Sequence, residues 1–262
     1  MMKSKSLMLK TYNIAPNVTA FSTTRHGGES KGNYGEFNIN TYCGDEPSAI
    51  AANRKILEEE IGIDDDKLLM PHQVHLTRNR VVTPAFLSLS PTSRSPFLEA
   101  IDSLTTNVKN VCIGVSTADC IPVLLYDAKH HAAAAIHAGW RGTVKRIVVH
   151  TFSTMEKEYD TNAKDVIAVI GPGISLKNFE VGDEVYDAFA KEGFNMDFIA
   201  KRFEKWHIDL PLCNQLQLEE AGIPRKNIIQ SGICTFDNVD DFFSARRLGQ
   251  KSGRIYTGII LR

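Results

Sequence analysis

The sequence predicts an α/β protein of the α+β type, with mixed β-sheets layered between helices. Three observations carry that expectation. The apolar runs NVCIGVST, IPVLLYD and AAAAIHA follow one another between Asn110 and Ala138 with no helical pattern between them. Strands that succeed one another without crossover helices argue against a purely parallel, doubly wound sheet. Elsewhere, segments with apolar residues at helical spacing alternate with further strand-like runs, so both kinds of element are needed.

In chain order, NVTAFSTTR (17–25) alternates and runs into a Gly-rich loop, HGGESKGNYGEFN. Pro47 then opens the helical stretch AIAANRKILEEEIG, where its fixed φ suits a first turn. SLSPTSRSPF (88–97) has loop composition and reads as a surface excursion, because strand-like patterns resume on both sides. After the three apolar strands, KRIVVHTFSTMEKEY fits a helix with Ile147, Val148, Phe152 and Met155 on one face. DVIAVIG is a buried strand, EVYDAFAKEG a helix closed by Gly193, and PLCNQLQLEEAGI a helix from Pro211 to Gly222. RIYTGIIL alternates as a final strand. Without repeats or low-complexity tracts, residues 1–262 read as one domain.

Bulk properties exclude several function classes. Hydrophobic residues make up 43% and charged residues 23%, and the net charge is −1, so no global field attracts nucleic acid or an anionic membrane. The N-terminal stretch lacks an apolar core of signal length, and no window approaches a membrane span. The five cysteines are scattered, with no C-x-x-C pair, which points to reduced thiols and a cytoplasmic protein.

Three segments carry possible chemistry: HQVH (72–75), TADC (117–120) and IHAGWRG with His137. Cys120 and His137 lie 17 residues apart across a strand–turn–strand pattern whose turn falls near Asp127 to His131. A hairpin of that length brings thiol and imidazole together at one end of a sheet. The pair has two chemical readings. His137 lowers the thiol pKa and Cys120 attacks an electrophilic carbon, or both coordinate zinc with a third ligand from HQVH, either His72 or His75. A buried Cys with two hydrogen-bonded histidines is the structural alternative. His72, His130, His131, His150 and His207 read as surface or structural residues.

QVH, STADCIPVLLYD, AAIHAGWRGT, the loop TTRHGGESKG with GDE and NR after it, and the tail CTF…FFSARRLGQKSGR together resemble the YfiH family. Its members were formerly described as multicopper polyphenol oxidases, or laccases. The resemblance runs from about residue 21 to 262 in matching order. It implies a single domain distantly similar to deamidase toxins of the cytotoxic necrotizing type. It also implies zinc on His75, Cys120 and His137, and purine nucleoside metabolism: phosphorolysis of adenosine, inosine and methylthioadenosine, with adenosine deamination. Two departures stand out: GPGISLKNFEVG lacks the cysteine pair many relatives carry there, and Tyr42-Cys43 precede GD where a small residue and His are usual.

Under this resemblance the partners are a purine nucleoside and phosphate. Asp119 is the candidate acid or base, otherwise a turn carboxylate. Arg141, at a helix start, and Arg25, beside Gly27-Gly28, are the first phosphate candidates, with Arg246 behind them. Asn38 is a candidate for sugar hydroxyls or a turn stabiliser, and Trp140 is expected to close the core. A laccase needs several coppers and clustered histidines. The eight histidines here are mostly dispersed, so copper uptake at one soft site would be incidental. The remaining alternatives are a cysteine hydrolase or amidase acting on cell-wall precursors, a copper polyphenol oxidase, and a non-catalytic nucleoside binder.

Overall fold

The computed structural model describes residues 7–262. Its strands are β1 (Leu9–Tyr12), β2 (Val18–Thr23), β3 (Leu68–Leu69), β4 (Asn79–Val82), β5 (Ser103–Thr106), β6 (Cys112–Thr117), β7 (Ile121–Asp127), β8 (Ala132–Ala138), β9 (Val166–Ile170), β10 (Glu180–Val181), β11 (Ala200–Arg202), β12 (Trp206–Ile208), β13 (Ile228–Gln230) and β14 (Ile255–Leu261). Among the described residues they form two large sheets, ordered β1-β2-β14-β6-β3 and β13-β9-β7-β8-β5-β4, and a small one, β10-β12-β11. Both large sheets are mixed. β3 runs parallel to β6, β4 to β5 and β13 to β9, whereas the other pairings are antiparallel.

The helices fall where apolar spacing puts them. α1 (Pro47–Ile61) begins at its proline and ends at Gly62, whose φ of 61° is the left-handed closure that glycine tolerates. The loop expected over residues 88–97 lies within a structured stretch, residues 84–98. They form two short helices, α2 (Pro84–Leu87) and α3 (Pro91–Arg94), and a 3-10 turn over Ser95–Leu98. Thr83 and Ser90 cap the two helices by accepting from the amides of Phe86 and Ser93, so Ser and Thr beside Pro act as start signals rather than breakers. Downstream come α4 (Trp140–Val144), α5 (Ile147–Tyr159), α6 (Asp183–Lys191), α7 (Met196–Ile199), α8 (Leu210–Glu220) and α9 (Ala245–Leu248).

Side-chain alternation sorts the core into layers. Val123, Leu125, Ala134 and Ile136 face α5 and α8, packing on Val148, Phe152 and Leu218. Leu124, Tyr126, Ala133 and Ala135 turn the other way, against Ile113, Val115 and Ile259 of the first sheet. The far side of that sheet, with Phe21, Cys112, Tyr256 and Ile260, is covered by Leu57 and Ile61 of α1. The order is helix, sheet, sheet, helix, so the large sheets are layered between helices. β14 differs from the alternating strand expected at the C-terminus: all seven of its residues are buried, because it is central and covered on both faces. No helix among the described residues is long and apolar enough to cross a membrane.

Candidate metal centre

The hairpin forms as its sequence implies. β7 and β8 pair with Ile121 opposite Ala138 and Pro122 opposite His137, so Cys120 lies at the same end as His137. The turn is held by Asp127, which accepts from the amides of Lys129 (2.9 Å) and His130 (3.0 Å). His137 shares the strand face of Ala133 and Ala135, which places its ring between the two large sheets. Between β6 and β7 the chain reverses through Asp119, at φ 84°.

The third member is His75. Gln73 anchors its loop to β6 with both ends of its amide: Nε2 donates to the Ser116 carbonyl (2.8 Å), and Oε1 accepts from the Ser116 amide (2.7 Å). Asp102, fully buried, then gathers the loop's amides, accepting from His75 at 2.9 Å and Leu76 at 2.8 Å. These bonds hold His75 at φ 63°, a conformation unusual for a residue with a Cβ. As a result, ligand atoms of His75, Cys120 and His137 all lie within 4.8 Å of one another, with Cys120 Sγ 3.8 Å from His75 Nε2. Gly139 permits this approach. A Cβ there would sit 2.8 Å from His75 Cδ2 and 3.1 Å from Cys120 Sγ.

Asp102 also contacts His137 Nδ1 at 2.8 Å, which leaves the ring's Nε2 for the cluster. Burial pushes the Asp102 carboxyl up, but His137 and the loop amides outweigh it and hold the group below its ordinary value. Burial likewise raises the Cys120 thiol, yet the charge and hydrogen bonds of His137 and His75 bring it down overall. For His137, burial lowers the pKa, and Cys120 and Asp102 together raise it above the ordinary imidazole value. Without a bound cation the favoured state is therefore a thiolate beside a buried imidazolium, whose proton a divalent ion would displace. Two imidazoles and a thiolate suit a borderline-soft divalent ion such as zinc, so these residues fit the metal.

The cluster opens into a cavity of about 330 Å³ whose wall includes Asn40, Tyr42, His72, Gln73, Phe179, Arg246 and Arg254. A larger groove of about 830 Å³ runs along α1, lined by residues such as Glu29, Lys31, Lys55 and Glu59, and contains none of the cluster. Asp119 lines the smaller cavity, but both its oxygens are engaged, accepting from Thr235 Oγ1 (2.6 Å) and the Arg246 amide (2.7 Å). That makes it a carboxylate that positions α9 rather than a free acid or base. Arg246 does reach the wall, its guanidinium over Phe179 at 5.5 Å and one N–H donating to the Glu180 carbonyl.

Three sequence candidates lie elsewhere. Arg141 does not line the cavity; its guanidinium stacks on Trp140 at 4.2 Å, and Trp140 packs partly buried on the core. Arg25 is spent on the carbonyls of Gly35 (2.8 Å) and Val239 (2.7 Å), holding the Gly-rich loop. Asn38 is fully buried, donating to Asp45 and accepting from the amides of Asn40 and Arg254, so it shapes the turn. His72, read as surface or structural, is partly exposed and paired with Glu99 at 2.7 Å, and it also borders the cavity. Sequence reasoning missed Asp102, Gln73 and Arg254; the one signal for Asp102 was a lone acid opening the buried strand DSLTT.

The family model described as "Multi-copper polyphenol oxidoreductase laccase" matches residues 19–262. A Bacteroides thetaiotaomicron protein named "Purine nucleoside phosphorylase" is 48% identical over 94% of this chain and 92% of its own length. "Adenosine deaminase RL5", from an unknown prokaryotic organism, is 41% identical over 92% of this chain and 93% of its own. The crystal structure of the Bacillus licheniformis "hypothetical protein YfiH" superposes with a TM-score of 0.88 at 28% identity, covering 96% of this chain and 99% of that one.

Proposed function

The chain belongs to the multi-copper polyphenol oxidoreductase laccase family, which includes YfiH, and from that membership we propose that it is a zinc-dependent purine nucleoside phosphorylase with adenosine deaminase activity. Its substrates are adenosine, inosine and methylthioadenosine. The observation that supports this most is the convergence of His75, Cys120 and His137 on the wall of a cavity of metabolite size. The names of the two relatives supply the substrate class.

His75, Cys120 and His137 would hold the ion, which when bound supplies a Lewis acid at the cavity wall. Asp102 fixes the His137 tautomer, and the Gln73 clamp keeps His75 from swinging away. In phosphorolysis a phosphate oxygen bonds to ribose C1′ as the bond from C1′ to the purine nitrogen breaks. The electron pair leaves with the purine, which takes up, by way of solvent, the proton that the phosphate gives up. Arg246 is the cation for the incoming phosphate, with Arg254 on the same wall, and Asp119 holds the Arg246 backbone in place. In deamination, water adds at C6 of adenine and ammonia departs. Among the described residues only one group of side chains can gather a metal in this way, too few for a multi-copper electron relay, so oxidation by bound copper would be incidental.

A second reading has its own observation. Cys120, His137 and Asp102 also form the order thiol, imidazole, carboxylate of a cysteine hydrolase. Metal analysis and turnover on one preparation separate the two. The purine reading expects about one zinc per chain, base release from inosine that needs phosphate, and loss of both in Cys120→Ala. A metal-free protein whose Cys120 forms a covalent adduct with substrate would support the hydrolase instead.

A further inference from the structure

We propose that Tyr42 is the platform on which the purine base stacks, an inference that rests on the nucleoside reading above. Tyr42 is a large aromatic left 48% exposed on the wall of the cavity that holds the His75, Cys120, His137 cluster. One face of its ring is occupied: His72 stacks beneath it with centroids 4.1 Å apart and planes inclined by 18°. Among the described residues, no second ring stacks on the other face.

The stack is braced from below. His72 Nδ1 meets Glu99 Oε2 at 2.7 Å, and its backbone is pinned on both sides, the amide donating to Leu98 and the carbonyl accepting from Ile101. Tyr42 is braced too. Its amide donates to Asn40 Oδ1 at 2.7 Å, while Asn40 Nδ2 donates to Ser116 Oγ at 2.7 Å. Ser116 is the residue that Gln73 clamps, so platform and metal-ligand loop are built on one strand end. An exposed tyrosine contributes little to folding. Holding one flat, with a second ring under it and an open face at a cavity, suits a planar π-system. A purine laid on Tyr42 would form the third layer of the stack, with its sugar free to reach inward.

The test is steady-state turnover of adenosine and inosine by Tyr42→Ala, Tyr42→Leu and Tyr42→Phe beside the unaltered chain. Stacking on one ring predicts a KM raised about tenfold in Ala and Leu, kcat within about twofold, and recovery in Phe. Equal kcat/KM in Ala and the unaltered chain would overturn the platform while leaving the nucleoside reading in place. So would a loss falling on kcat alone. If the unaltered chain turns over neither nucleoside, the nucleoside reading falls and the platform with it.

Discussion

Replacing Gly139 by Ala tests the packing around the cluster in isolation. Gly139 precedes α4 with φ −69° and ψ 168°, a backbone any residue adopts, so the substitution adds a methyl group without conformational strain. That methyl lands 2.8 Å from His75 Cδ2 and 3.1 Å from Cys120 Sγ, whereas ordinary contact begins at 3.4 Å. The ring must therefore withdraw by about 0.6 Å (3.4 less 2.8) and the thiol by about 0.3 Å (3.4 less 3.1). Metal–ligand distances tolerate only about 0.2 Å, and Asp102 and Gln73 hold the His75 loop against compensating movement. Zinc affinity should fall by about 10–100-fold, the scale of losing an orienting partner. Competition against a chromophoric chelator measures it, with a thermal melt of the metal-free protein as control. Affinity within about twofold of the parent would refute the reasoning.

Three further outcomes follow from the same geometry. Asp102→Asn turns an amide donor toward groups that already donate, and should weaken zinc binding about 10–100-fold while costing about 3 kcal/mol of stability, read by chelator competition and urea melts. Gly114→Ala would set a Cβ 2.2 Å from Cζ of fully buried Tyr256, whose hydroxyl donates to the Leu69 carbonyl at 2.9 Å; overpacking should cost about 1–3 kcal/mol and lower Tm by several degrees in calorimetry. Burial raises the Asp127 carboxyl, but the His130 and Lys129 amides and the His130 ring outweigh it and depress the group. A depressed carboxyl adds stability above its unfolded pKa of about 4 and loses it as pH falls through the folded value. Asp127→Asn should therefore be less stable at neutral pH and show a shallower acid loss, and identical urea midpoints for both proteins at pH 7 and pH 3 would contradict this.

The parts of the fold that could be read in advance were those set by local pattern. Val123 to Tyr126 and Ala132 to Ile136 announce strands because they are buried on both faces, and the short turn between them forces Cys120 and His137 together. α1 was legible because Pro47 and Gly62 mark its ends. The loop composition of residues 88–97 misled because Ser and Pro favour loops and helix starts alike, and only tertiary packing decides which. In the site, thiol and imidazole stand out by residue type. Asp102, 35 residues from His137, acts through groups distant in sequence, the His75 and Leu76 amides and the His137 ring, and no spacing rule reveals such a carboxylate. The ranking of the arginines by sequence differs from their placement for a related reason. Arg141 sits near His137 in sequence, but the turn at Gly139 carries it onto Trp140, while Arg246 reaches the cavity through Asp119.

The most direct measurement is phosphorus NMR of purified protein incubated with inosine and inorganic phosphate, beside Cys120→Ala. Phosphorolysis at the His75, Cys120, His137 centre predicts a growing sugar-phosphate monoester resonance matched by free hypoxanthine, absent without phosphate and absent in the variant. A zinc-loaded protein that leaves inosine and the phosphate resonance unchanged would contradict it.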